Sequence, residues 1–409
     1  MAGQLLTLNA GSSSIRCALF EAIAEATAEA KQAQPVLPER LWVGQAEGLA
    51  PGLHARLRVR DRHGGVLHDA PLVGADATHA GALQALLAWR AGQAGTAPIV
   101  AVGHRIVHGG TRFTQPVRIG ADVLAQLAEL EPLAPLHQPH NLAGVRAAMQ
   151  AFADVPQVAC FDTAFHATQS AVNQRFALPR AWHEQGVRRY GFHGLSYESI
   201  VAQFPAFDAA LVKGRVVVAH LGNGASMCAI QAGRSVATSM SFSPLDGLTM
   251  GTRCGQLDAA VVLYLWQQCG MSAGQITQLL FRESGLLGLS GVSSDMRELE
   301  ASAAPAAAEA IAHFVEQVLQ HLGKLAAALR GIDALVFTGG MGENAATLRG
   351  RILAQCAWLG VQAAGAANCN GAARLTAAGS PVSAWVIHSN EEAVIARHTR
   401  AVLRQAHRA

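Results

Sequence analysis

RVVVAHLGNGASMCAI, residues 215–230, consists of an apolar strand, an Asn/Gly/Ser turn and a second stretch with apolar residues at alternate positions. LLTLNAGSSSIRCALF, residues 5–20, has the same three parts in the same order. In this earlier copy residues 4–8 read as a short buried strand, and Gly11 is expected to supply the positive φ of a sharp reversal. Ile15, Cys17 and Leu19 fall on one face at period two, which predicts a strand rather than a helix after the turn. Neither copy is a P-loop, which needs G-x-x-x-x-G-K-[ST] opening a helix. A hairpin tip rich in N–H and hydroxyl donors can still hold a phosphate, although read alone the plain hairpin turn is favoured. The recurrence implies two related halves whose tips face each other across a cleft.

Working outward, 409 residues are long for one core, so two domains are expected. Charged residues make up 14% and hydrophobic ones 51%, much of it alanine. No apolar run is long enough to span a bilayer, and the amino terminus lacks a basic n-region, so a cytoplasmic protein is expected. Seven scattered cysteines without a C-x-x-C pair argue against a disulfide framework or a zinc site. A net charge of +3 is too weak to mark a nucleic-acid surface. Residues 21–80 are the least informative, a connection followed by short strands such as HARLRVRDRHGGVLHDA. Beyond them the pattern alternates helix and strand, giving an α/β class. A third Gly-rich turn, GGMGEN at 339–344, lies between the strand IDALVFT and a helix. That order suits a nucleotide phosphate or sugar, as it equally suits an ordinary αβ connection. The last helix, EEAVIARHTRAVLRQA, carries Val394, Ile395, His398 and Val402 on one face and is expected to pack on the first domain.

Polar residues gather at predicted strand ends: Arg105 in GHRIVHGG, Asp162 in CFDTAFH, His193 in RRYGFHGLS and Arg253 in SPLDGLTMGTRCGQLD. A single arginine is usually a surface ion pair. Two arginines and a histidine, with no nucleophile elbow and no metal cage, suit a phosphoryl group whose equatorial oxygens carry developing charge.

The motifs NAGSSSIR, GHRIVHGG, APLHQPHN, FDTAFH, YGFHG, HLGNGAS, SPLDGLTMGTRCG, GGMGEN and SNEE, in this order, resemble the acetate kinase family over nearly the whole chain. Only residues 21–80 and the stretch near 360–380 lack a matching motif. The resemblance implies an α/β fold of two duplicated actin-like ATPase (ribonuclease H-like) domains with an interdomain cleft. These would be residues 1–154 plus 388–409, completed by the C-terminal helix, and residues 155–387, which bind nucleotide. It implies reversible transfer of the ATP γ-phosphoryl group to acetate, giving acetyl phosphate and ADP, in a cytoplasmic homodimer without nucleic-acid or membrane partners. Propionate or butyrate kinase and a non-catalytic actin-like ATP-binding switch are the alternatives.

Carried over position by position, Arg105 and Arg253 flank the substrate and the moving phosphoryl group, and His193 is the transition-state histidine. Asp162 matches a residue assigned to proton transfer. A carboxylic acid substrate with a pKa near ~4 is already ionised at pH 7, so orientation is the expected role. Val107, Leu136, Phe192 and Pro244 would line an apolar patch for the acyl methyl. His220, Leu221, Gly222, Asn223 and Gly224 would contact ATP phosphates. Asp295, Met296 and Arg297, with Gly340, Met341, Gly342, Glu343 and Asn344, would hold the adenosine. Asn9 and Glu391 match the positions for Mg2+, for which Mn2+ is a substitute. Ser389 and Glu392 have capping-box spacing, which leaves Glu391 to face the metal. Arg16 stands where the family usually has an ATP-linked lysine, preserving charge but changing reach. Tyr197 stands where histidine is common, with no functional meaning legible in the sequence.

Overall fold

The computed structural model describes residues 3–11, 14–22, 37–49, 54–93 and 96–406. The chain divides into two compact units, Met1–Phe165 with Asn390–Ala409, and His166–Ser389.

The first unit is built on an eight-stranded sheet. Its strands are β1 (Gln4–Ala10), β2 (Ser14–Glu21), β3 (Arg40–Glu47), β4 (Arg56–Asp61), β5 (Val66–Pro71), β6 (Ile99–Ile106), β7 (Val117–Arg118) and β8 (Gln157–Phe161), in spatial order β5-β4-β3-β2-β1-β6-β8-β7. The opening hairpin forms as its period-two pattern predicts, with Asn9 opposite Arg16 and Leu8 opposite Cys17. Its tip departs from expectation at Gly11, whose φ lies outside the positive region; the Gly11 N–H instead donates to the Ser14 carbonyl at 2.8 Å. Ser12 and Ser13 lie outside the described residues.

β1 is buried on both faces, so its side chains sort by parity. Leu6 and Leu8 join Ile15, Cys17, Leu19, Leu83 and Leu86 in one core. Leu5 joins Ala18, Phe20, Ala101, Ala393 and Ala396 in another, beneath the C-terminal helix Glu391–Ala406. Full burial of each Leu or Phe here contributes roughly 1.5–3 kcal/mol. The close approach of that helix requires Gly103 on β6. A Cβ there would lie 2.6 Å from Ile395 Cγ2, closer than carbon atoms can pack, and would also meet Thr399 Oγ1.

The second unit carries a five-stranded sheet of β9 (Arg215–His220), β10 (Ser226–Gln231), β11 (Arg234–Thr238), β12 (Ala334–Thr338) and β13 (Ser383–Val386), in order β11-β10-β9-β12-β13. β9 and β10 form the antiparallel hairpin read from residues 215–230, and β12 runs parallel to β9. This reproduces the order β3-β2-β1-β6-β8 of the first sheet, including the parallel pairs β1/β6 and β6/β8. The sequence repeat is thus the same hairpin at the centre of each sheet. GGMGEN is itself a short helix, Gly339–Asn344, rather than a turn before one. Gly339 opens it at φ 77°, where an added Cβ would meet the Leu221 carbonyl oxygen at 2.7 Å. Among the described residues no helix is long and apolar enough to cross a membrane.

Candidate active site

In the first unit the parallel strands β1, β6 and β8 bring their carboxyl ends to one edge. Arg105, inside β6 rather than after it, places its guanidinium against Asp162, the residue following β8. Arg105 Nε donates to both Asp162 oxygens at 3.1 Å, and Nη2 donates to Oδ2 at 2.6 Å. Nη1 donates to Asn9 Oδ1 at 3.1 Å. Asp162 is buried at 1% exposure while Arg105 keeps 24%, so the arginine is anchored from below and open at its edge. Burial alone would pull the Arg105 pKa down, but the charges of Asp162 and then Glu391 outweigh it and hold the group firmly cationic.

Glu391, at the first turn of the C-terminal helix, comes within 4.0 Å of Arg105 Nε. Its carboxyl is raised to about 7, first by burial and then by the charges of Asp162 and Glu392, against the pull of Arg105 and Arg16. The capping box expected at Ser389 and Glu392 is not the one formed. The helix begins at Glu391, and Asn390 Oδ1 accepts from the Ala393 N–H at 3.1 Å. Glu392 instead takes Arg16 Nε at 2.7 Å, a pairing across 376 positions that no local spacing announces.

With Glu391 ionised, Asp162, Glu391 and Glu392 against Arg105 and Arg16 give this cluster one negative charge in excess. The Asn9 amide oxygen and the Glu391 carboxylate are hard oxygen donors of the kind Mg2+ takes, and a divalent cation would favour the ionised form of Glu391 that burial first and then the neighbouring carboxylates disfavour. The residues fit the metal. Among the described residues there is no group of three or more His, Cys, Asp or Glu set to hold a metal.

Val107 and Leu136 also belong to this unit. Asn141, unremarked in the sequence although it closes APLHQPHN, ties the region together: its Oδ1 accepts from the Val107 N–H at 2.8 Å and its Nδ2 donates to the Ala10 carbonyl at 2.6 Å. Thr163 does the same for Gly109, whose N–H it accepts at 3.0 Å.

In the second unit His193 caps the helix Gly194–Phe207 in the left-handed region, φ 57°. Its ring stacks on His220 with centroids 4.4 Å apart, and its Nδ1 lies 2.8 Å from Ser226 Oγ. Arg253 donates from Nη1 to the Pro244 carbonyl at 2.6 Å. A Cβ added to Gly224 would lie 3.0 Å from Arg253 Nη2 and 3.6 Å from His193 Nε2, so this tip glycine, the arginine and the histidine share one small space. Phe192 is fully buried, its carbonyl accepting from His166 Nε2 at 2.8 Å.

A cavity of about 620 Å³ in this unit brings together Gly222 and Asn223, Asp295, Met296 and Arg297, and Gly340, Met341 and Asn344. Ser294, Glu300 and Ala345, not anticipated from sequence, complete its wall. Asp295 caps the Arg297 N–H at 2.9 Å and its carboxyl is held below the usual range, chiefly by the Arg297 side chain. The remaining members of the expected nucleotide set turn elsewhere. The Leu221 carbonyl accepts from the N–H groups of Met341 and Gly342, fixing the short helix. The Gly342 carbonyl accepts from Arg349 Nη1 at 2.9 Å. The Glu343 carboxylate accepts from Thr338 Oγ1, from the N–H groups of Gly339 and Ser389, and pairs with His388 Nδ1 at 2.8 Å. Burial opposes its ionisation, yet these partners hold its carboxyl below the ordinary value.

Two sheets with the same central hairpin, a nucleotide-sized Gly-rich cavity, and Arg105 within β6 and Arg253 in the loop after β11, not at the strand ends expected from sequence, define an α/β protein of the actin-like ATPase class. The acetokinase family model matches residues 4–397. The acetate kinase of Methylocella silvestris is 51% identical over 409 residues, covering 98% of each chain, and that of Rhodopseudomonas palustris is 49% identical over 401, covering 97% of this chain and 98% of the relative. Among solved structures, a propionate kinase from Francisella tularensis superposes with a TM-score of 0.87 at 35% identity, and Porphyromonas gingivalis acetate kinase with 0.83 at 34%, each over 98% of this chain and all of the other. The chain belongs to the acetokinase family.

Proposed function

We propose that this chain transfers the γ-phosphoryl group of ATP to acetate, reversibly, giving acetyl phosphate and ADP. The observation that carries the reading is the Arg105 clamp: a permanently charged fork, anchored by a buried Asp162 and by Asn9, with its outer edge open to an anion. Arg253 and His193 around Gly224 supply the matching donors of the second unit.

Acetate is already ionised, its pKa near ~4, so no base is needed. A carboxylate oxygen attacks the γ-phosphorus in line. The new O–P bond forms as the bond from phosphorus to the β,γ-bridging oxygen breaks, and that electron pair leaves on ADP. Arg105 in the first unit and Arg253 and His193 in the second are the donors assigned to the equatorial oxygens, where charge is spread during transfer. Asp162 orients Arg105. The 620 Å³ cavity takes the nucleoside, with Asp295, Met296, Arg297, Gly340, Met341 and Asn344 around it and the tip residues Gly222 and Asn223 on its wall toward the phosphates. Arg16, bound to Glu392 but half exposed, offers the rest of its guanidinium to ATP. Asn9 and Glu391 would hold Mg2+, which when bound neutralises phosphate charge. Val107, Leu136, Phe192 and Pro244 contact the acyl methyl.

The resemblance to a propionate kinase supports a second substrate. One methylene changes binding by only ~1–3 kcal/mol, so propionate is used less well rather than excluded. A non-catalytic nucleotide switch would need the Gly-rich tips but not the Arg105 clamp. The family resemblance also supports a cytoplasmic homodimer. The test incubates the protein with magnesium ATP and acetate, propionate or butyrate, and traps acyl phosphate with hydroxylamine. Acetyl hydroxamate is expected in greatest yield; no hydroxamate from any acid refutes the reading.

A further inference from the structure

Tyr197 lies one helical turn beyond His193 on the same helix, its N–H donating to the His193 carbonyl at 3.1 Å. Both side chains reach one atom, the hydroxyl of Ser226 at the start of β10. Tyr197 Oη is 2.5 Å from Ser226 Oγ, and Ser226 Oγ is 2.8 Å from His193 Nδ1. Tyr197 and Ser226 are fully buried. We propose that Tyr197 is a positioning residue: through Ser226 it holds His193 as the neutral imidazole whose proton sits on Nε2.

The argument is one of proton counting. A serine hydroxyl has one proton to give, and a phenol is the better donor of the two hydroxyls. The assigned relay has Tyr197 donating to one lone pair of Ser226 Oγ and the Ser226 proton pointing to Nδ1, 2.8 Å away. A nitrogen that accepts at Nδ1 leaves its proton at Nε2. Burial keeps the phenol protonated well beyond its ordinary range, so the donor end of the relay persists. The Tyr197 ring cannot swing away easily, because His166 packs against it edge-on at 5.6 Å and is itself bonded to Ser235 and to the Phe192 carbonyl.

Nε2 is the nitrogen that shares the space beside Gly224 with Arg253 Nη2. The relay thus presents an N–H, rather than a lone pair, beside the guanidinium. That is what an oxygen of a transferring phosphoryl group requires of a neutral histidine, and in this respect the inference rests on the phosphoryl-transfer reading. Phenylalanine at position 197 would leave the Ser226 hydroxyl free to turn, and either tautomer of His193 could then form.

The test uses the full chain with Tyr197→Phe, Ser226→Ala and the double variant. Acyl phosphate formation is measured beside histidine 15N spectra, in which the His193 signals are assigned by their loss in His193→Gln. The wild type is expected to show His193 as the Nε2–H tautomer, and Tyr197→Phe a mixture. The kcat of Tyr197→Phe is expected to fall about tenfold, the worth of one hydrogen bond, with KM for ATP and acetate unchanged. The double variant should be no worse than Ser226→Ala alone, because both changes cut one relay. A wild-type kcat in Tyr197→Phe, an unshifted tautomer, or effects that multiply overturns the proposal. If Tyr197→Phe does not fold, Ser226→Ala decides by the same two readouts. The tautomer spectra stand whether or not wild-type protein makes acyl phosphate, so failure of the relay and failure of the functional reading are told apart.

Discussion

Asp162→Asn removes one charge from the first unit and leaves the side-chain shape nearly intact. The amide keeps one acceptor oxygen, so the loss is the ion-pair charge together with the bonds made to the other oxygen, out of the two 3.1 Å Nε bonds and the 2.6 Å Nη2 bond from Arg105. Deleting one partner of a buried ion pair typically costs about 3–5 kcal/mol, because the other charge is left buried alone. Here Arg105 retains 24% exposure, its bond to Asn9 and a carboxylate of Glu391 within 4.0 Å. The loss therefore falls below that range, at about 2–3 kcal/mol. For a unit of this size that corresponds to a fall in Tm of about 5–10 °C, read by thermal unfolding monitored by circular dichroism. Catalysis should suffer more than stability. Without its anchor the guanidinium settles off the position that meets the phosphoryl oxygens, and misplacement by about 1 Å costs about 10²-fold in turnover in the hydroxamate assay. An Asp162→Asn protein whose Tm lies within about 1 °C of wild type and whose turnover lies within about threefold refutes the anchoring argument.

Arg105→Ala and Arg253→Ala should each lower turnover by about 10²-fold or more with native circular dichroism, and a loss under about fivefold in either removes that residue from the transfer step. Gly224→Ala brings a methyl to 3.0 Å from Arg253 Nη2 and 3.6 Å from His193 Nε2 in ordinary backbone geometry. Turnover should fall while Tm stays put; unchanged kinetics would show that these two groups do not work beside the tip. His104, buried against Gln157, is lowered by burial to about 4. Its unfolded form binds a proton near the ordinary ~6.5, so the stability it contributes is complete above that pH and is lost as pH falls toward 4, up to about 3 kcal/mol. Tm measured from pH 7 to 4 should drop, and a His104→Asn protein should drop less steeply; equal slopes contradict the assignment.

Local pattern made the two hairpins legible, because alternation at period two is imposed by the pleat itself, and it also gave the C-terminal helix its bounds, Glu391–Ala406. The strands within residues 21–80 were only partly legible, since β3, β4 and β5 show alternation but carry no motif. Contacts between distant segments were not legible at all. Arg16 with Glu392, Asn141 with Ala10 and Val107, and Glu343 with His388 and Ser389 depend on where the sheets bring strand ends. Capping spacing misassigned Glu392 because a helix start shifted by one residue exchanges the roles of neighbours. Tyr197 was visible only as an unexpected residue type, and its place beside Ser226 required the helix turn and the strand together.

The most direct measurement is a crystal structure with magnesium ADP, acetate and a planar aluminium fluoride in place of the phosphoryl group in transit. Arg105, Arg253 and His193 Nε2 should each donate to a fluoride, with an acetate oxygen and the ADP β-phosphate on opposite axial sides. A fluoride plane that either arginine leaves untouched, its guanidinium directed to solvent or to an unrelated carboxylate, contradicts the account.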